Sequence, residues 1–167
     1  MNLDRAIEIA QKIAAELLPF SARVQIAGSI RRLRSEVNDI DIVCLPNDER
    51  GLRARVLKSL PRIIADGKYN LEVELKGGLR LDVFMAAPGQ RTLFGDGGCN
   101  WGSLLLCRTG STAHNIHLVE TAKKLNLRWN PYWGVYDHTG RCMACEAEED
   151  IFEALQLDFV KPENRER

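Results

Sequence analysis

Two short alternating stretches, Leu71-Glu72-Val73-Glu74-Leu75 and Leu79-Arg80-Leu81-Asp82-Val83, meet at Lys76-Gly77-Gly78. Alternation with a period of two sends successive side chains to opposite faces of a strand, and a glycine pair supplies the positive backbone angles of a tight reversal. The segment is therefore expected to be a β-hairpin. Leu79, Leu81 and Val83 take one face, and Arg80, Asp82 and Phe84 the other. One carboxylate, Asp82, is thus fixed to a sheet surface.

A second alternation lies upstream. Asp39 to Leu45 reads as a strand closed by Pro46-Asn47, and Val24 to Ala27 as a shorter one running into Gly28-Ser29. Residues 3 to 18 place Ile7, Ala10, Ile13, Ala14, Leu17 and Leu18 at helical spacing until Pro19 ends the pattern. Glu49 to Ala65 is expected to be a helix interrupted by Pro61. Pro88-Gly89 and Gly95-Asp96-Gly97-Gly98 mark a change of lobe, which sets expected domains at 1–88 and 89–167. In the second lobe Gly110-Ser111 opens a helix through Leu118, Ala122 and Leu125. Asn130 to Cys145 reads as strands and turns, and Glu148 to Leu155 as a last short helix.

Composition narrows the function classes. With 167 residues and 45% hydrophobic content, the chain can bury one core or two small ones. No apolar run reaches the roughly 18 residues of a membrane span, and the N-terminal pattern carries Asp4 and Glu8 rather than a signal-peptide core. A soluble intracellular protein without a membrane partner is expected. Five cysteines form no regular framework, so reduced thiols are expected. Cys142 and Cys145 have redox or zinc spacing but lack the second pair of a zinc ribbon, which favours a structural role. Charge is balanced at 23 basic and 23 acidic residues, so any hold on nucleic acid must be local. Basic residues gather at Arg31, Arg32 and Arg34 and again from Arg50 to Arg62, while acids gather from Glu146 to Glu153.

The informative constellation combines these pieces. Asp39 and Asp41, two apart on a strand, share a face while Ile40 and Ile42 turn to the core. Adjacent like charges persist at low cost when a cation lies between them, and hard oxygen donors suit Mg²⁺. Asp82 offers a third carboxylate on a strand that could lie alongside. The Gly28-Ser29 turn supplies backbone N–H groups, a hydroxyl and close approach for a phosphate, and Arg31 and Arg32 supply charged forks. Each feature alone is common; together they are selective.

Gly28-Ser29-Ile30-Arg31-Arg32 followed by Asn38-Asp39-Ile40-Asp41-Ile42-Val43 resembles the nucleotidyltransferase signature of X-family DNA polymerases, the group of DNA polymerase beta. Leu79-Arg80-Leu81-Asp82-Val83-Phe84 resembles that family's third-carboxylate strand. Thr109-Gly110-Ser111 with Asn115 resembles its nucleotide-binding turn. Leu127-Arg128-Trp129-Asn130 with Tyr132, and Glu148 to Phe152 with Pro162-Glu163, resemble its following strand and closing segment.

The resemblance implies an α+β fold: a nucleotidyltransferase palm, with a mixed β-sheet and helices on one face, followed by a small α/β thumb-like lobe. It also implies a monomeric DNA-directed DNA polymerase that adds dNTP to a primer 3′-hydroxyl on a primer-template or gapped duplex, filling short gaps in DNA repair. Two Mg²⁺ ions, replaceable by Mn²⁺, would be held by Asp39, Asp41 and Asp82. Gly28, Ser29, Arg32, Gly110 and Asn115 would hold the nucleotide. Arg80 would lie near the primer terminus or simply neutralise Asp82, and Asn115 would reach the nucleotide edge or cap its helix. The alternative reading is a template-independent nucleotidyltransferase acting on nucleic-acid ends or small acceptors, which the first half alone would permit.

Departures from the family pattern sharpen the expectation. Cys107-Arg108 stands where relatives carry aromatic residues before Thr-Gly, which implies weak discrimination against rNTP. Val119 stands where many carry an arginine that probes the template pair, which implies lower fidelity. The helical DNA-gripping and lyase regions have no counterpart here, so a minimal palm-plus-thumb form with weak, salt-sensitive DNA affinity is expected. His114 and His117 lie near the nucleotide turn and are expected on the helix surface or in contact with a phosphate rather than as a general acid, and Trp101, Trp129 and Trp133 are expected to pack the lobe.

Overall fold

The computed structural model describes residues 1–58, 62–87, 91–92, 95–96 and 98–166. The chain divides into two compact units, Met1–Met85 and Ala86–Arg167. Pro88-Gly89, expected to mark the change of lobe, lies outside the described residues.

The first unit is a five-stranded mixed sheet with helices packed on one face. It opens with α1 (Leu3–Leu17), whose first turn is capped by Asn2 accepting from the Arg5 N–H at 3.0 Å. Next come β1 (Ser21–Ile26), the single helical turn α2 (Gly28–Arg31), β2 (Asp39–Pro46), α3 (Glu49–Lys58), β3 (Arg62–Asp66), β4 (Asn70–Glu74) and β5 (Arg80–Met85). The strand order is β1-β2-β5-β4-β3. Strands β2 and β5 run parallel, and every other neighbouring pair is antiparallel. The expected hairpin is β4–β5, with Leu71 opposite Val83 and Val73 opposite Leu81.

One face of this sheet makes the core. Ile40, Ile42, Cys44, Leu71, Val73, Leu81 and Val83 pack with Ala6, Ala10 and Leu17 of α1 and Leu52 and Val56 of α3. Burial of such side chains contributes about 1.5–3 kcal/mol each before entropy is counted, which pins the register, since a one-residue slip would turn them all outward.

Two expectations are corrected here. The helix expected over Glu49 to Ala65 stops at Lys58, and Arg62–Asp66 is the edge strand β3; the interrupting Pro61 lies outside the described residues. Ile63 and Ile64 are exposed on both faces of that strand, so no alternation announced it. Gly28-Ser29 does not simply end a strand: β1 stops at Ile26, and Gly28 begins the α2 turn.

The second unit holds a short β6–β7 ladder (Arg91–Thr92 and Gly95–Asp96), α4 (Trp101–Thr109), α5 (Thr112–Lys124), β8 (Arg128–Asn130), β9 (Gly134–Tyr136), β10 (Cys142–Ala144) and α6 (Glu148–Ala154). The last three strands form a sheet ordered β10-β9-β8. Leu106, Leu118, Ala122, Trp129, Val135, Ile151, Phe152 and Leu155 form its core. Helix α4 was not anticipated, because Gly102 through Leu106 are buried all round and leave no amphipathic stripe. Trp129 packs as expected, its indole N–H donating to Ser103 Oγ at 2.9 Å, but Trp133 is exposed rather than packed. No helix among the described residues is long and apolar enough to cross a membrane.

Candidate active site

The parallel register of β2 and β5 assembles the acidic face. Asp41 stands directly opposite Asp82, and Asp39 opposite Arg80. Residues paired this way project to the same side of the sheet, so the three carboxylates share one surface while Ile40, Ile42, Leu81 and Val83 anchor the other. The sheet extends the row: Glu72 on β4 stands opposite Asp82, and Glu74 opposite Arg80. Glu72 escaped the sequence reading, although its place in the alternation, four residues before the expected turn, carried the signal.

Arg80 holds this cluster together electrostatically. Its guanidinium donates to Asp39 Oδ2 at 2.8 Å and lies 3.3 Å from Glu72 Oε1 and 3.5 Å from Asp82 Oδ2. The Asp39 hydrogen bond, then the charge of Asp82, hold the guanidinium even more firmly protonated than usual. Of the two roles open to Arg80 from sequence, carboxylate neutralisation is the one this geometry displays. Among the described residues, no three His, Cys, Asp or Glu side chains converge as a metal site. The Arg80 guanidinium lies among these carboxylates instead. The donor chemistry nevertheless fits a hard divalent cation, since the face carries several carboxylate oxygens on rigid strands.

The Gly28 turn abuts the same face. Gly28 has φ +56°, and a β-carbon there would overlap the Asp41 carboxylate, so only glycine lets the turn lie against that acid. The Ala27 N–H donates to the Asp41 carbonyl at 2.8 Å, which ties the turn to β2. Ser29 Oγ, in the same turn, is buried without a hydrogen-bond partner and so has donor capacity to spare. Arg32 closes the turn, its N–H donating to the Gly28 carbonyl at 3.2 Å.

In the second unit, Gly110 ends α4 and joins Ser111 through a cis peptide bond. Ser111 caps α5 by accepting from the His114 N–H at 3.2 Å, so Asn115 is not the helix cap. Asn115 instead donates to the Cys107 carbonyl at 2.8 Å, and its Oδ1 is buried without a partner. The turn is braced from behind: the Ser111 N–H donates to the Arg165 carbonyl at 3.0 Å. The fully buried Arg165 guanidinium pairs with Glu148 at 2.8 Å, and its Nε donates to the Val160 carbonyl at 2.7 Å. Arg108 turns its side chain to the Tyr132 hydroxyl at 3.1 Å.

The chain is similar to known proteins in part or throughout. Residues 104–166 match the DNA polymerase beta thumb family. The DNA polymerase/3'-5' exonuclease PolX of Bacillus subtilis (strain 168) is 26% identical over 165 residues, an alignment covering 96% of this chain and 28% of that protein. The chain thus spans little more than a quarter of the curated relative it matches. Leishmania infantum polymerase beta, solved as a ternary P/T complex, superposes with a TM-score of 0.74 at 16% identity, covering 100% of this chain and 77% of the other. That last likeness is one of fold. The thumb match over residues 104–166 and the alignment to PolX, added to the Gly-Ser turn and carboxylate strands described above, make this chain similar to the X-family DNA polymerases.

Proposed function

We propose that the chain is a DNA-directed DNA polymerase that extends a primer 3′-hydroxyl by nucleotidyl transfer. The observation that carries this reading is the register setting Asp41 against Asp82 on one face, with the Gly28 turn packed onto Asp41. In the reaction a bond forms between the 3′-oxygen and the α-phosphorus of the nucleotide while the bond to pyrophosphate breaks. Two divalent ions, Mg²⁺ or Mn²⁺, would lower the pKa of the attacking hydroxyl and offset charge on the triphosphate.

Asp39, Asp41 and Asp82 are the residues that would hold the ions. Arg80 would first have to release Asp39. The Ser29 hydroxyl and the Gly28 turn would donate to phosphate oxygens, with Arg32 adding charge. Gly110 would let the sugar approach the backbone, and the unpartnered Asn115 Oδ1 would accept from the nucleotide. These roles divide between two units, Met1–Met85 and Ala86–Arg167, as palm and thumb.

The substrate would be a short gap in DNA of the kind left in repair. The last turn of α4 offers Cys107 and Arg108 in place of an aromatic ring, and Arg108 is drawn toward Tyr132. Loose sugar selection follows, with rNTP accepted alongside dNTP.

The test is extension of a labelled primer on single-stranded, recessed and one-nucleotide-gapped DNA, each with Mg²⁺ and Mn²⁺ and with matched dNTP and rNTP pools. Templated extension, strongest on the gap, is expected. Untemplated addition to the single strand would replace the reading with that of a terminal transferase, and strong rejection of rNTP would overturn the sugar assignment.

A further inference from the structure

Arg80 and the proposed metal ions compete for the same oxygens. A divalent cation among Asp39, Asp41 and Asp82 repels the guanidinium, while the guanidinium now occupies Asp39 and stands near Asp82. Arg80 therefore needs another anion on which to rest when those acids change partners. Glu72 meets that need. It stands opposite Asp82 in the antiparallel register, projects to the same face, and already lies 3.3 Å from Arg80. Its side chain is only 26% exposed, so its attraction is less screened than that of a fully solvated acid. Glu74, opposite Arg80, is the other candidate, but it is shared with Arg62 at 3.9 Å and is more exposed.

We propose that Glu72 is a positioning residue that draws Arg80 away from Asp39 and Asp82 and thereby sets the affinity of the acidic face for divalent metal. The proposal rests on the polymerase reading but assigns Glu72 no contact with metal or substrate. It acts through Arg80, which is what distinguishes it from one more ligand. An isosteric Glu72→Gln leaves the β4–β5 pairing untouched and removes only the charge.

The test is a double-mutant cycle on the full chain with two readouts: Mn²⁺ binding without nucleotide or DNA, followed by electron paramagnetic resonance, and the Mg²⁺ concentration giving half-maximal primer extension. Glu72→Gln is expected to weaken Mn²⁺ binding about fivefold to tenfold, and Arg80→Gln to strengthen it, the range typical of couplings between touching groups. In the Arg80→Gln background, Glu72→Gln should change Mn²⁺ affinity by less than about twofold. The half-maximal Mg²⁺ concentration should follow the same pattern, with maximal extension at saturating Mg²⁺ largely retained in Glu72→Gln.

Equal weakening by Glu72→Gln with and without Arg80 would overturn the proposal, because Glu72 would then act on the metal directly. Unchanged Mn²⁺ affinity in Glu72→Gln would overturn it as well. A wild-type chain that neither binds Mn²⁺ nor shows metal-dependent extension would overturn the polymerase reading beneath it, which is a distinct result.

Discussion

In Met1–Met85 the ionic cluster lies on the open face of a sheet, where Arg80, 47% exposed, reaches three acids that could each take another partner. In Ala86–Arg167 the ion pair of Arg165 and Glu148 is sealed from water, clasped between Phe152 and Phe159 with the guanidinium 5.4 Å from each ring, and it braces the Gly110-Ser111 turn. Partial access of water to the first cluster, greatest at Arg80, keeps its ion pairs exchangeable. Burial makes the second brittle, since an unpaired charge left inside has no solvent to receive it. The first arrangement suits groups that must exchange partners during a reaction, the second a scaffold that must not move.

The sharpest way to break this contrast is to remove one arginine from each unit. Arg165→Ala should cost about 3–5 kcal/mol by stranding Glu148, whereas Arg80→Ala should cost no more than about 1 kcal/mol, both read from denaturant unfolding. Equal losses would erase the distinction between exchangeable and structural charge. Gly28→Ala comes next. Backbone strain of about 1–3 kcal/mol is expected at its positive φ, and displacement of Asp41 by the added β-carbon should lower extension by about a hundredfold, measured on gapped DNA. In the second unit, Ser111→Ala removes the α5 cap and should cost about 1 kcal/mol, seen as a lower unfolding midpoint.

The smallest effect concerns thiols. A hydrogen bond from Cys145 holds the Cys142 thiol down to about 7, while burial pushes Cys44 up to about 12. A lowered thiol pKa means more thiolate at neutral pH, so Cys142 alkylation should rise with pH through about 7 and then level off, while Cys44 stays unmodified; peptide mass spectrometry after timed labelling reads both. Cys145→Ala should move the Cys142 rise to higher pH. Unchanged Cys142 reactivity in that variant would contradict the assigned cause.

The same contrast explains what was legible in the sequence. Asp39, Asp41 and Asp82 could be read because a strand's period of two converts spacing into facing, and the Leu71–Val83 alternation announced its own hairpin. The parallel pairing of β2 with β5 could only be surmised, because it joins segments with α3 and the β3–β4 pair between them in the chain. Edge strand β3 was taken for helix because Arg62–Asp66 is mostly exposed and shows no facing pattern. Helix α4 was missed for the opposite reason, burial on every side. Glu72 and Arg165 were overlooked because their partners are set by tertiary register: Glu72 meets Arg80 across a strand, and Arg165 meets Glu148 seventeen residues away. Asn115 was singled out from sequence, but its bond to the Cys107 carbonyl depends on how α4 and α5 meet at the Gly110-Ser111 turn.

The central claim is that the facing pair of Asp41 and Asp82 drives nucleotidyl transfer. Asp82→Ala, compared with wild type in primer extension on one-nucleotide-gapped DNA with Mg²⁺, tests it most directly when DNA affinity is measured on the same preparations. Loss of extension by at least about 10²–10³-fold with DNA affinity nearly unchanged is expected. Extension by Asp82→Ala at the wild-type rate would contradict the account.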